Sequence, residues 1–167
     1  MKVREEKQKR RNKILKHDLF IEYNEKIEAW EKNRIFCHHD MVHFLDVARL
    51  AMIINLQEAI GADEDCIYAA ALLHDIGRFV QYEDGTPHEE ASAKLAEPIL
   101  KECGYTERET SVIIGAISRH RDRESAAERN LNGLLYRADK MSRSCFACKA
   151  EKECDWKADK KNLRLFY

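Results

Sequence analysis

The segment Ile67-Tyr68-Ala69-Ala70-Ala71-Leu72-Leu73 is continuously apolar, consists largely of strong helix formers, and runs straight into His74-Asp75. Such a run, following the acidic start Asp63-Glu64-Asp65, reads as a buried helix. Its far end then places a carboxylate in the interior. Burying an ionised aspartate costs several kcal/mol unless it is paired or bound to a cation, so the fold has to bring it a partner. Local capping, with Gly77 ending the helix, is one way to do so. A divalent metal ion is the other.

More residues with ligand chemistry flank that pair, in the order His43, His88, His120 and Asp139. With His74, four of the chain's seven histidines fall in this series, and a shared metal site is the most economical reason for it. Thr86-Pro87-His88-Glu89 has the marks of a helix start, with Thr as N-cap, Pro at the first helical position and Glu closing a capping box. That puts His88 in a first turn. The pattern Thr106 to Arg119 opens on its own capping box at Thr106 and Glu109, carries Val112, Ile113, Ile114 and Ile117 as an apolar stripe, and brings His120 to its end. Helix termini are where side chains from several helices converge.

Only two prolines and six glycines punctuate the 167 residues, with 44% hydrophobic and 35% charged residues. This balance favours helices joined by short turns in one all-α domain. Residues Lys2 to Lys13 read as a solvated helix face, since Glu5 and Glu6 interrupt the positive run. Ile14, Leu15, Leu19, Phe20, Tyr23, Ile27 and Trp30 recur at the spacing of an amphipathic helix docked on the core. A helix from Met41 to Ile60 starts with His43 and ends at Gly61; the next spans Asp63 to Arg78. After Asp84-Gly85 a helix runs from Pro87 to Cys103, where Pro98 should kink or break it. The last covers Glu124 to Lys140, with Asp139 at its far end; Arg119 to Asn132 reads alternatively as a loop free to cover the site. The chain divides into an N-terminal charged and amphipathic part (1–36), a metal-binding core (37–141) and a cysteine-containing tail (142–167).

His43-Phe-Leu-Asp-Val-Ala-Arg, Ala71-Leu-Leu-His74-Asp75-Ile-Gly-Arg78 and Leu134-Leu-Tyr-Arg-Ala-Asp139-Lys together resemble the HD superfamily of metal-dependent phosphohydrolases. The resemblance covers about Cys37 to Met141 and implies a helical bundle in which His43, His74, Asp75 and Asp139 hold one metal. The placement of His88 and His120 is similar to the binuclear subset, where two further histidines bind a second ion and Asp75 would bridge both. The donor set suits iron, manganese, zinc, cobalt or nickel; the resemblance favours iron, then manganese.

Six cysteines remain. Without a secretion signal, metal binding or plain burial competes ahead of a disulfide framework. Cys66 and Cys103 read as small buried hydrophobes. Cys145, Cys148 and Cys154, with Cys37 as fourth ligand and His38 or His39 behind it, are candidates for a zinc or iron-sulfur site; reduced thiols in a tail are the simpler reading.

Neutral histidines and carboxylates leave coordination positions for water and a phosphoryl oxygen and lower the water's pKa. Asp75 is expected at the catalytic centre. Arg78, one turn past it, is the expected phosphate clamp, with Arg121, Arg137 and Lys140 as weaker choices. The expected substrate is a small phosphate ester or anhydride, a nucleotide or dinucleoside polyphosphate. An HD-type diiron oxygenase and a noncatalytic metal or redox sensor are the alternatives. A net charge of -1 offers no general field for nucleic acid or anionic membrane, and with no apolar leader the expected location is cytoplasmic.

Overall fold

The computed structural model describes residues 2–165, with side chains at Glu5 and from Lys9 onward. Among them are eight α-helices and no strand, the all-α bundle that the composition implies. They are α1 (Lys2–Leu15), α2 (Asp18–Glu31), α3 (Met41–Gln57), α4 (Glu64–Leu73), α5 (Arg78–Asp84), α6 (His88–Cys103), α7 (Glu107–Arg119) and α8 (Leu131–Met141).

Helix α4 is the axle. It packs against α1, α3, α6, α7 and α8, which is why its sequence lacks a polar face: Ala69, Ala70, Ala71, Leu72 and Leu73 are all buried. Alanine there lets neighbouring helices approach closely while Leu and Ile fill the gaps. Around it lie Phe44 and Val47 of α3, Ile99 and Leu100 of α6, Ile113 and Ile117 of α7, and Leu134 and Leu135 of α8.

Several boundaries differ from the sequence reading, each for a local reason. The helix expected over Asp63–Arg78 stops at Leu73, and residues 74–77 form a turn before α5. Gly77 is fixed there by close approach: a Cβ would sit 2.4 Å from the Ser92 backbone nitrogen, and its N–H donates to Ser92 Oγ at 2.9 Å. Helix α3 ends at Gln57, where Asn55 bonds both backbone groups of Ala62 and shapes the loop. The apolar stripe from Ile14 to Trp30 is two helices, because His17 caps α2 by accepting from Leu19 N–H; Trp30 is exposed.

Pro98 does not break α6, which runs unbroken through it; both Pro98 and Lys94, whose carbonyl loses its partner, lie on the exposed side. Pro87, not Thr86, precedes the first turn of α6, and no side-chain cap forms there. The capping box of α7 is present as read, but Val112 faces solvent. Before α8, a 3-10 turn (Arg123–Ala127) and the Asn130 N-cap replace the first half of the expected helix. The basic start is not simply solvated: Arg10 and Arg11 of α1 dock on Asp65, Glu64 and Glu109.

Candidate metal centre

His74 and Asp75 are delivered by the C-terminal end of α4, His43 by the first turn of α3, where Asp40 caps the helix by accepting from His43 N–H. His88 opens α6, His120 follows α7, and Asp139 lies in the last turn of α8. Six residues spread over nearly a hundred positions thus meet at one end of the bundle, because each sits at a terminus of a helix packed on α4.

They form two groups that share Asp75. One ligand atom from each of His43, His74, Asp75 and Asp139 lies within 4.8 Å of the others, and the same holds for Asp75, His88 and His120. The two carboxylate oxygens of Asp75 face opposite ways. Oδ2 is 3.2 Å from His74 Nε2 and 3.5 Å from His43 Nε2, while Oδ1 is 3.1 Å from His88 Nε2 and 3.5 Å from His120 Nε2. Asp139 Oδ1 stands 3.6 Å from His43 Nε2 and 3.8 Å from His74 Nε2.

The outer ring nitrogens fix how the inner ones point. His74 Nδ1 lies 2.8 Å from the Ala71 carbonyl and His120 Nδ1 2.6 Å from the Ile117 carbonyl. A carbonyl only accepts, so both Nδ1 atoms carry the hydrogen and both Nε2 atoms turn inward. His88 Nδ1 meets Gln81 Oε1 at 2.6 Å and His43 Nδ1 meets Ser142 Oγ at 3.3 Å. Inward-facing Nε2 atoms then approach in pairs, His43 to His74 at 3.2 Å and His88 to His120 at 3.1 Å. Neutral imidazoles placed so aim lone pairs at one another, an arrangement that a cation between them converts from repulsion to coordination. The donor set of imidazole nitrogen and carboxylate oxygen fits a divalent metal.

Charge agrees with that reading. Burial alone would raise Asp75, yet Arg78 and the surrounding histidines hold it well below the usual carboxylate range. Asp139 is likewise held low against its burial, by His74 and Lys140. Burial presses His74 down, but Asp75 and Asp139 overcome it and raise the imidazole to about 10, so a proton and a metal compete for Nε2. Burial lowers His88 to about 4 despite Asp75; it stays neutral and able to ligate.

A cavity of about 310 Å³ opens onto this centre. Its walls come from Arg34 to His43, from Arg78, and from Asp139 onward into the tail, not from the 119–132 stretch expected as a cover. Arg78 Nε lies 3.2 Å from Asp75 Oδ1 and Lys140 Nζ lies 2.5 Å from Asp139 Oδ2; both line the cavity. Arg137 instead forms a two-pronged pair with Glu58, and Arg121 reaches Glu89 from the surface; neither lines it. Cys66 and Cys103 are buried, and no cysteine is in a disulfide. Among the described residues, Cys37, Cys145, Cys148 and Cys154 do not form a ligand group as tight as the histidine ones.

Sequence reasoning passed over Glu31 and offered His39 only as a reserve ligand for the cysteine site, whereas the structure sets it beside Asp75. Both backbone N–H and Nδ1 of His39 bind Glu31, at 2.8 and 2.5 Å, and Tyr82 Oη donates to the same carboxylate at 2.6 Å. His39 Nε2 points to Asp75 Oδ2 at 3.8 Å. The signal was a His-His step beside a helix end, with its acid eight residues upstream across an aperiodic loop.

Comparison with known proteins bears on this arrangement. A family model described as HD domain matches residues 41–144, which span helices α3 to α8. An uncharacterized protein of Clostridium beijerinckii is 46% identical over 156 residues, covering 93% of this chain and 98% of the relative. A protein named Ribonuclease Y 1, from Pediococcus pentosaceus, is 34% identical over 80 residues, 48% of this chain but only 14% of that protein. No solved structure matches. With its family model spanning well over half of the sequence and its histidines and aspartates gathered at one end of the bundle, the chain belongs to the HD-domain family of the metal-dependent phosphohydrolase superfamily.

Proposed function

We propose that this protein hydrolyses a small phosphate ester or anhydride, a nucleotide or dinucleoside polyphosphate, at a centre where two residue groups sharing Asp75 would hold two divalent ions. The observation that carries the reading is the pair of inward-facing Nε2 couples, each served by its own oxygen of Asp75. His43, His74 and Asp139 would hold one ion with Asp75, and His88 and His120 the other. Iron is the preferred metal and manganese the second. Bound there, such ions supply Lewis acidity toward a phosphoryl oxygen and a water of lowered pKa.

The chain's own side chains do the rest. Arg78 and Lys140 point positive charge into the cavity beside the two aspartates, where a guanidinium can hold two phosphate oxygens at once. Arg34, Arg143 and Lys161 extend that charge along the wall. Glu31 keeps the His39 hydrogen on Nδ1 and so leaves Nε2 as an acceptor facing Asp75 and the cavity. Burial lowers His39 against the pull of Asp75 and Glu31, which keeps it neutral and so free to take a proton from water near the centre. A volume of about 310 Å³ is at the lower end for small-molecule sites and suits a mononucleotide-sized substrate, or one nucleotide half of a dinucleoside polyphosphate.

The test is phosphate release from a panel of nucleotides, dinucleoside polyphosphates and model esters, with manganese or ferrous iron under anaerobic conditions. The wild type should turn over at least one member and Asp75→Ala none. Oxygen uptake without phosphate release would replace the hydrolase by an oxygenase. Neither activity, with metal bound, would leave a sensor.

A further inference from the structure

The tail after α8 is hard to account for by packing. From Cys145 to Leu165 it contains two three-residue 3-10 turns and no longer element, and Ala150 is its one buried hydrophobic residue. Phe146, Trp156, Leu163 and Leu165 are exposed. Fixing a residue's backbone has an entropic cost, and a segment burying so little apolar surface recovers little of it. Yet the tail is laid against one place, the metal-centre cavity, where Cys145, Cys154, Asp155, Trp156 and Lys161 form part of the wall. Asn162 anchors it by donating to the carbonyls of Lys140, Met141 and Arg143, and Lys161 closes the tail on itself through Glu151.

All of the cysteines outside the core lie at this spot. Cys37, from the loop between α2 and α3, lines the same cavity as Cys145 and Cys154. It lies within electrostatic range of the Cys145 and Cys148 thiols and of Arg143, and Lys161 is within range of Cys145 and Cys154. We propose that Cys37, Cys145, Cys148 and Cys154 bind one zinc ion as a tetrahedral thiolate site that clamps the tail to the α2–α3 loop at the cavity wall.

The chemistry supports zinc. Cys145 and Cys148 have the Cys-x-x-Cys spacing of a structural zinc knuckle, and four thiolates close the shell with no position left for catalysis. The thiol sulfurs are looser than a formed site, but a change of side-chain rotamer moves each by about 3 Å. Four thiolates around a divalent ion leave a net double negative charge, and Arg143 and Lys161 are placed to offset it. Binding would also supply the ordering free energy that the tail's packing lacks.

The full chain, purified anaerobically, should contain one zinc per chain in addition to any metal of the histidine centre. An organomercurial should release it together with the thiols. Cys148→Ser and Cys154→Ser should each lose that zinc and speed proteolysis of the tail, while keeping histidine-centre metal and helical content. His74→Ala should do the reverse, keeping the thiol-released zinc, which separates this site from the hydrolase centre. Because a serine variant can fail to fold, cobalt loading of the wild type is an independent measure: a thiolate-to-cobalt charge-transfer band is expected. Wild-type protein without thiol-held zinc and without that band, zinc retained in the Cys148→Ser,Cys154→Ser double variant, or iron accompanied by acid-labile sulfide would each overturn the assignment.

Discussion

Helix α4 carries a buried carboxylate at its start and another just past its end, and the protein compensates the two by opposite means. At the first, Asp65 is fully buried, with Arg10 Nη2 at 2.8 Å and Arg11 Nε at 3.4 Å. Arg10 also grips Glu109 with two nitrogens and lies over the ring of Tyr105. At the second, Asp75 meets neutral-capable imidazoles on both sides and a single arginine. Arginine never gives up its proton in a protein, so the Asp65 pole has its countercharge built into the chain. The Asp75 pole faces imidazoles instead, whose Nε2 atoms can hold either a proton or a diffusible cation. One pole is therefore structural and closed, the other chemical and open to a cavity.

The sharpest way to break this comparison is to neutralise both acids in turn. Asp75→Asn should remove ligands from both groups at once, abolishing metal binding at the centre and driving phosphate release to background, with the helical spectrum retained. Asp65→Asn should leave metal content and turnover per folded molecule unchanged and show itself in unfolding experiments alone. Metal analysis and denaturation on the same preparations decide it; lost metal in Asp65→Asn would make the two poles one network.

Next in size is Arg10→Ala. Removing one partner of a buried ion pair costs about 3–5 kcal/mol, whereas replacing the pair by apolar groups is often neutral. Arg10→Ala should therefore lower the urea midpoint strongly, and Arg10→Met with Asp65→Leu should recover most of the loss. No apolar pair can restore function at Asp75, and that asymmetry is the content of the comparison.

The two poles also differ in how far the sequence exposes them. The His-Asp step at the end of an apolar helix shows the open pole directly, because metal ligands are few residue types in a fixed order. Asp65 stands in a string of acids at a helix start, where exposed carboxylates are ordinary, and its arginines lie in a charged stretch with no apolar face. Nothing local tells a docked arginine from a solvated one, since the pairing spans more than fifty residues. Glu31 was hidden although its partner His39 is only eight residues on, because what ties the pair to the centre is its long-range approach to Asp75 and Tyr82. The turn at residues 74–77 was legible only in part: Gly77 reads as a helix end, but the helix already stops at Leu73, and the close contact between Gly77 and α6 that fixes the turn is tertiary.

That contact supplies the third prediction. In Gly77→Ala the new methyl would meet the backbone of Ala91 and Ser92 within 3 Å, so the start of α6 must move. Overpacking of this kind costs about 1–3 kcal/mol. The shift falls on His88, the first residue of α6, and leaves His43, His74 and Asp139 in place. The variant should therefore lose one metal per chain before the other in a chelator titration. Simultaneous loss of both would show that the two groups do not separate. Ser92→Ala, which removes one hydrogen bond to Gly77 N–H, should cost about 1 kcal/mol with both metals kept.

The smallest effect is read against pH at the closed pole. Arg10 bonds the Glu109 carboxylate, which Thr106 also contacts, and holds it at about 2 against an ordinary 4.5. A lowered acid contributes stability that is present above its unfolded value and lost as pH falls toward its folded one, here between about 4.5 and 2. Asp65 runs the other way: burial raises it despite Arg10, so acidification relieves its cost. Glu109→Gln should thus flatten the fall in unfolding free energy below about pH 4.5 while changing metal affinity at neutral pH not at all. If the acid limb keeps its slope in Glu109→Gln, acid sensitivity belongs to the open pole, where falling pH protonates histidines and releases metal.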